Sequence, residues 1–140
     1  MKKYLFKSVW TKAFVTGLAL FALTGATTVS AAGGYWTISQ ERVSAYGDWS
    51  EFGSANVKQT NSNVASFNGD ALPNSLGYNV RLINNAGEFR SDQVGLYVNS
   101  TSHADNNSGL AGYSYYADVR SSLLEPNQST VKLHFSADNL

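Results

Sequence analysis

The chain has 140 residues, is 43% hydrophobic and only 14% charged, and carries ten basic against ten acidic side chains. It has no cysteine, which excludes disulfides and thiolate metal sites, and only two histidines, which leaves little for imidazole chemistry. The neutral total hides an asymmetry: four lysines precede residue 13, while residues 33–140 hold six basic and ten acidic residues, a net charge of −4, a balance unsuited to nucleic acid or anionic membrane.

The N-terminal segment reads as a secretory signal peptide over residues 1–32. Lys2, Lys3, Lys7 and Lys12 form its positive region, and Ala13 to Leu23 is a short uncharged apolar run. Val29-Ser30-Ala31 and Ser30-Ala31-Ala32 offer small residues for cleavage. The run is too short to span a bilayer comfortably, which takes about 20 apolar residues. The expectation is a cleaved leader, no stable membrane anchor, and a single secreted, extracellular domain over 33–140, of a kind that Gram-positive bacteria export. No cell-wall sorting pattern is visible after Phe135.

Beyond the leader the period is two. Trp36 to Ser39, Asn56 to Lys58 and Val64 to Phe67 are weak strand signals. Four stronger runs follow, with apolar residues at Tyr78, Val80 and Leu82; at Val94, Leu96 and Val98; at Tyr113, Tyr115, Ala117 and Val119; and at Val131, Leu133 and Phe135. Such alternation marks half-buried antiparallel strands. Asn84-Asn85-Ala86-Gly87 has the residues of a hairpin loop, because Asn and Gly supply positive φ. Ser102 to Gly109 and Glu125 to Ser129 read as polar connections, and Ser121 to Leu124 as one helical turn. The predicted fold is all-β, an antiparallel β-sandwich of about seven strands. Val131 to Ser136 is a candidate exposed edge strand through which a second copy could pair; the pattern leaves the oligomeric state open.

No catalytic signature is present. His103 falls in a loop, and His134 is predicted to face solvent, opposite Leu133 and Phe135. Glu41, Asp48 and Glu51 form the one cluster of carboxylates near aromatic rings, the ingredients of a glycoside hydrolase, but a solvated loop explains them more simply. Asp105 to Gly109 resembles half of a calcium loop and lacks the later glutamate. The reading is therefore of no enzyme, no cofactor and no metal. The aromatic residues carry the binding signal. Trp36, Tyr46, Trp49, Tyr97 and Tyr116 are the candidate ligand-binding residues, because exposed rings stack on sugars or anchor a partner. Arg81, Arg90 and Arg120 lie near strand surfaces, free to bind carboxylate or phosphate or to pair with Glu88, Asp92 and Asp118.

Gly34-Tyr35-Trp36 followed by Val43-Ser44-Ala45-Tyr46 resembles the opening of the lactococcin-type secreted bacteriocins, and Gly112-Tyr113-Ser114-Tyr115-Tyr116 is similar to their aromatic C-terminal strand. Small exported Gram-positive proteins found near bacteriocin-type transporters are similar to about the same degree. The resemblance implies a β-sandwich exported without modification that acts on cell-wall precursor (lipid II) and blocks septum formation. This chain departs from that family in being longer, acidic, and continued beyond the aromatic strand. The functional expectation is a secreted, non-enzymatic, bacteriocin-like protein that binds a cell-surface or cell-wall component, either a glycan or a wall precursor. A carbohydrate- or host-ligand-binding module and a hydrolase using the clustered carboxylates are the alternatives.

Overall fold

The computed structural model describes residues 33–140, so the expected leader lies outside the described residues. Eight strands follow in order: β1 (Thr37–Val43), β2 (Ala55–Val57), β3 (Ala65–Ala71), β4 (Tyr78–Ile83), β5 (Val94–Leu96), β6 (Thr101–Ala104), β7 (Ser114–Ser121) and β8 (Ser129–Ser136). All the expected strands form, and Thr101–Ala104 adds one inside a segment that reads as a loop, giving eight where the pattern suggested about seven. A short 3₁₀ turn, Ala45–Gly47, follows β1. Ser121–Leu124 is not a helical turn. Ser121 ends β7, and a reverse turn follows, closed by the Glu125 N–H donating to the Ser122 carbonyl (3.0 Å).

The strands build two four-stranded sheets, ordered β1-β8-β3-β6 and β2-β7-β4-β5. All named pairings are antiparallel. Each sheet interleaves early and late strands, the order of a jelly-roll sandwich, in which a long hairpin of the chain wraps on itself. β8, the expected edge strand, is central between β1 and β3, so its backbone is paired on both sides. The edges are β1 and β6 in the first sheet and β2 and β5 in the second.

Within the strands the alternation seen in the sequence is the burial pattern; Tyr113 and Val98, expected to face inward, fall just outside β7 and β5 and are exposed. Phe67, Val131, Leu133 and Phe135 from the first sheet meet Val80, Leu82, Leu96, Tyr115, Ala117 and Val119 from the second. Phe67 and Phe135 are direct cross-strand partners with rings stacked at 6.1 Å. The two buried tyrosines keep their hydroxyls bonded. Tyr78 donates to Ser129 Oγ (2.8 Å), and Tyr115 accepts the Leu110 N–H (2.7 Å). One glycine is required by close approach. Gly69 exchanges backbone hydrogen bonds with Tyr97 and Asn99, and a Cβ there would lie 2.8 Å from the Tyr97 carbonyl oxygen.

The open side of the sandwich, between β1 and β2, is closed by the chain that joins them. Trp49 and Ser50 run antiparallel to Arg120 and Val119 as an outlying piece of the second sheet. Gly53 and Ser54 then leave that line and cross to β1, where the Ser54 N–H donates to Ser39 Oγ (2.9 Å).

Candidate functional site

The outer face of the second sheet gathers most of the candidate binding residues. β7 projects Ser114, Tyr116, Asp118 and Arg120 away from the core, and β4 projects Asn79, Arg81 and Ile83. Register sets them in rows. Asn79 sits opposite Arg120, Arg81 opposite Asp118, and Ile83 opposite Tyr116. The first row extends to Trp49 beside Arg120 on one side and to Gly95 beside Asn79 on the other. Gly95 has no side chain, and the Tyr97 ring occupies the space where one would project. Trp49 and Tyr97 thus bracket a row of four strand positions, about 14 Å by the usual spacing between strands. In the third row Phe52 packs edge-on against Tyr116 (5.1 Å between ring centres), and Phe89 bridges to Ile83.

The arginines occupy the middle of this face. Arg81 places its guanidinium 3.8 Å from the Trp49 ring centre and donates from Nε to Asp118 Oδ2 (3.0 Å). Arg120 approaches the same ring at 4.8 Å, and among the described residues it has no ion-pair partner. A concavity of about 400 Å³ opens next to it, lined by Arg120, Asn79 and the exposed Leu76, Leu123 and Leu124. A larger groove of about 720 Å³ lies at the other end of β7, around Asn84, Asn85, Arg90 and Tyr113. Its arginine is already paired with Glu88 (2.7 Å), and none of the five candidate aromatic residues lines it.

The candidate residues therefore divide. Trp49, Tyr97 and Tyr116 share the outer face of the second sheet. Trp36 lies on the opposite surface of the molecule, edge-on to His134 of β8 (4.7 Å). Tyr46 stands on the 3₁₀ turn, exposed, with φ 59. Trp36 and Trp49, close in sequence, do not share a surface, because Trp36 packs on the first sheet and Trp49 bridges to the second. Asn79 and Phe89 join the face through pairing register, and Phe52 joins it through its contact with Tyr116.

Carboxylates sort differently from the sequence cluster. Asp48 and Glu51 are exposed, whereas Glu41 points between the sheets and is 1% exposed. Ser39 Oγ (2.6 Å) and Ser50 Oγ (3.2 Å) donate to its two oxygens. Burial pushes its pKa up to about 7 against the pull of these hydrogen bonds, and the negative charge of Asp118 adds to the rise. Asp118 is itself raised by burial and restrained by Arg81. Asp48 and Glu51 are thus solvated, as the simpler reading expected, whereas Glu41 is not, and the carboxylate that adds to its rise is Asp118, paired with Arg81.

The histidines are both on the outer surface of the first sheet, in separate pairs. His134 Nδ1 meets Asp70 at 2.7 Å, and His103 Nδ1 meets Ser66 Oγ at 3.3 Å. In the Asp105–Gly109 loop, Asn106 bonds Asp92, and Asn107 turns into the core. Its carboxamide oxygen accepts the Gly109 N–H, so the oxygens of this loop do not converge. Among the described residues no group of three or more His, Asp or Glu side chains is placed to hold a metal ion, and no helix is long and apolar enough to cross a membrane.

No family model, curated protein or solved structure matches this chain.

Proposed function

We propose that this chain is a secreted, non-enzymatic binding protein that takes a cell-surface glycan on the outer face of its second sheet. The observation that carries the reading is the row from Trp49 through Arg120 and Asn79 to Tyr97. The exposed Tyr97 ring suits stacking on a sugar, since ring faces pack on the apolar faces of sugars, and Trp49, packed against both guanidiniums, holds Arg120 in the row. Arg120, without a carboxylate of its own, suits a carboxylate or phosphate on that glycan, and Asn79 beside it supplies both a donor and an acceptor.

A second reading rests on the leucines. Leu76, Leu123 and Leu124 form an exposed apolar lip around the concavity that Arg120 lines. An anionic group attached to a lipid would satisfy both parts at once. That is the chemistry of a lipid-linked wall precursor, the target implied by the bacteriocin resemblance.

One experiment separates these. Purified protein is applied to growing Gram-positive cells and to labelled wall fractions, with Trp49→Ala and Arg120→Ala beside it. Retention on wall polysaccharide that falls at least tenfold in both variants supports glycan binding. Growth arrest, with binding to vesicles carrying wall precursor and lost on Leu123→Ser, supports the second reading. Retention that both variants keep would sink the outer face as the site.

A further inference from the structure

One buried cluster plays no part in that binding face. Lys58 follows β2 and is 0% exposed; Asn107 lies between β6 and β7 and is 6% exposed; Asp138 follows β8 and is 1% exposed. Lys58 Nζ and Asn107 Nδ2 both donate to the carbonyl oxygen of Ala137, so an amine and a carboxamide converge on one atom. Asp138 Oδ1 is 3.7 Å from Nζ. The carboxamide oxygen of Asn107 accepts the Gly109 N–H at 2.9 Å.

We propose that Lys58 and Asn107 join through a side-chain amide bond, Nζ to Cγ, with Asp138 as the proton carrier. The parts match what acyl transfer needs. A nucleophile needs a base: Asp138 takes a proton from the Lys58 ammonium. Burial already works in that direction, since it lowers the lysine pKa despite the attraction of Asp138. The free amine attacks Cγ, and the Gly109 N–H holds the charge that develops on the carboxamide oxygen. The C–Nδ2 bond breaks as Asp138 returns its proton to the leaving nitrogen, and the second proton of the attacking nitrogen follows. One lysine ammonium and one carboxamide become one secondary amide and one ammonium ion, with no change of oxidation state. The backbone of Lys58 is held on both sides, its N–H by the Tyr113 carbonyl and its carbonyl by the Gly112 N–H, so only the end of the side chain must turn from the Ala137 oxygen to Cγ.

The bond has a physical use. A chain without cysteine has no disulfide to restrain its unfolded state. A Lys58–Asn107 amide closes a long loop in the same manner as a disulfide and ties the two sheets together where the tail of β8 packs.

Mass spectrometry of the intact full-length protein, followed by tryptic digestion under denaturing conditions, decides the matter. Beyond residue 32 trypsin would cut after Arg42, Lys58, Arg81, Arg90, Arg120 and Lys132. The expected product is a branched species joining 43–81 to 91–120, lighter than the two together by one ammonia and uncut after Lys58. Lys58→Arg and Asn107→Ala should abolish it, and Asp138→Ala should leave a folded chain of full mass. Separate peptides ending at Lys58 would overturn the proposal in the wild-type protein alone, whatever the variants do. So would loss of ammonia confined to the 91–120 peptide, which is an imide at Asn107, or a branch lighter by one water, which joins Lys58 to Asp138.

Discussion

Arg81 carries its guanidinium 3.8 Å from the centre of the Trp49 ring while Nε holds Asp118 at 3.0 Å. One arginine thereby fixes a tryptophan on the outlying piece of the sheet, and among the described residues Arg120, on the same ring, is left without an acid of its own. Arg120→Ala should reduce ligand binding at least tenfold and shift stability by less than about 0.5 kcal/mol, as surface substitutions do. Arg81→Ala should cost more stability, about 1–3 kcal/mol, because it leaves the buried Asp118 carboxylate without its charged partner. Isothermal titration and urea denaturation of the two variants read these separately.

Glu41 sets the pH dependence of folding. Its native pKa is raised to about 7 from an ordinary 4.5, so between those values the native state holds a proton that the unfolded chain has lost. Stability therefore falls as pH rises from about 4.5 to about 7 and levels above it, by about 3 kcal/mol for this one group. Asp118, raised by burial as well, acts with the same sign. Urea midpoints taken across that range should slope downward in the wild-type protein. They should be markedly flatter in Glu41→Gln, with a residual slope from Asp118.

Gly53 lets the crossing loop lie against β1. A Cβ there would collide with Ser39 Oγ and Glu41 Oε1, which are bonded to each other. Gly53→Ala should destabilise the fold by about 1–3 kcal/mol, the usual cost of overpacking. It should also open the cover over Glu41, so hydrogen exchange at Ser54 N–H should rise.

Tyr46 is bulky, exposed and left-handed, with φ 59. That backbone costs about 1–2 kcal/mol for an ordinary residue and less for asparagine. Tyr46→Asn should raise stability by about 1 kcal/mol in thermal or urea melts.

The strands were legible in the amino-acid sequence because a half-buried strand must alternate. Tyr78-Val80-Leu82, Tyr115-Ala117-Val119 and Val131-Leu133-Phe135 state their inward faces directly, and the loop at Asn84–Gly87 states its turn. The aromatic residues on the outer face of the second sheet, Trp49, Tyr97 and Tyr116, were equally visible as residue types. What remained hidden depends on pairing between distant strands. Period two assigns a residue to one of two faces of its strand and says nothing of which strand lies beside it. Only the interleaved order places β8 in the centre of a sheet, Trp36 and Trp49 on opposite surfaces, and Arg120 between Trp49 and Tyr97. Only packing of the crossing loop turns Glu41 into a buried acid that senses Asp118, and only the fold of the tail after β8 brings Lys58, Asn107 and Asp138 together. Local chemistry determined the elements; contacts between residues far apart in the chain decided which side chains share a site.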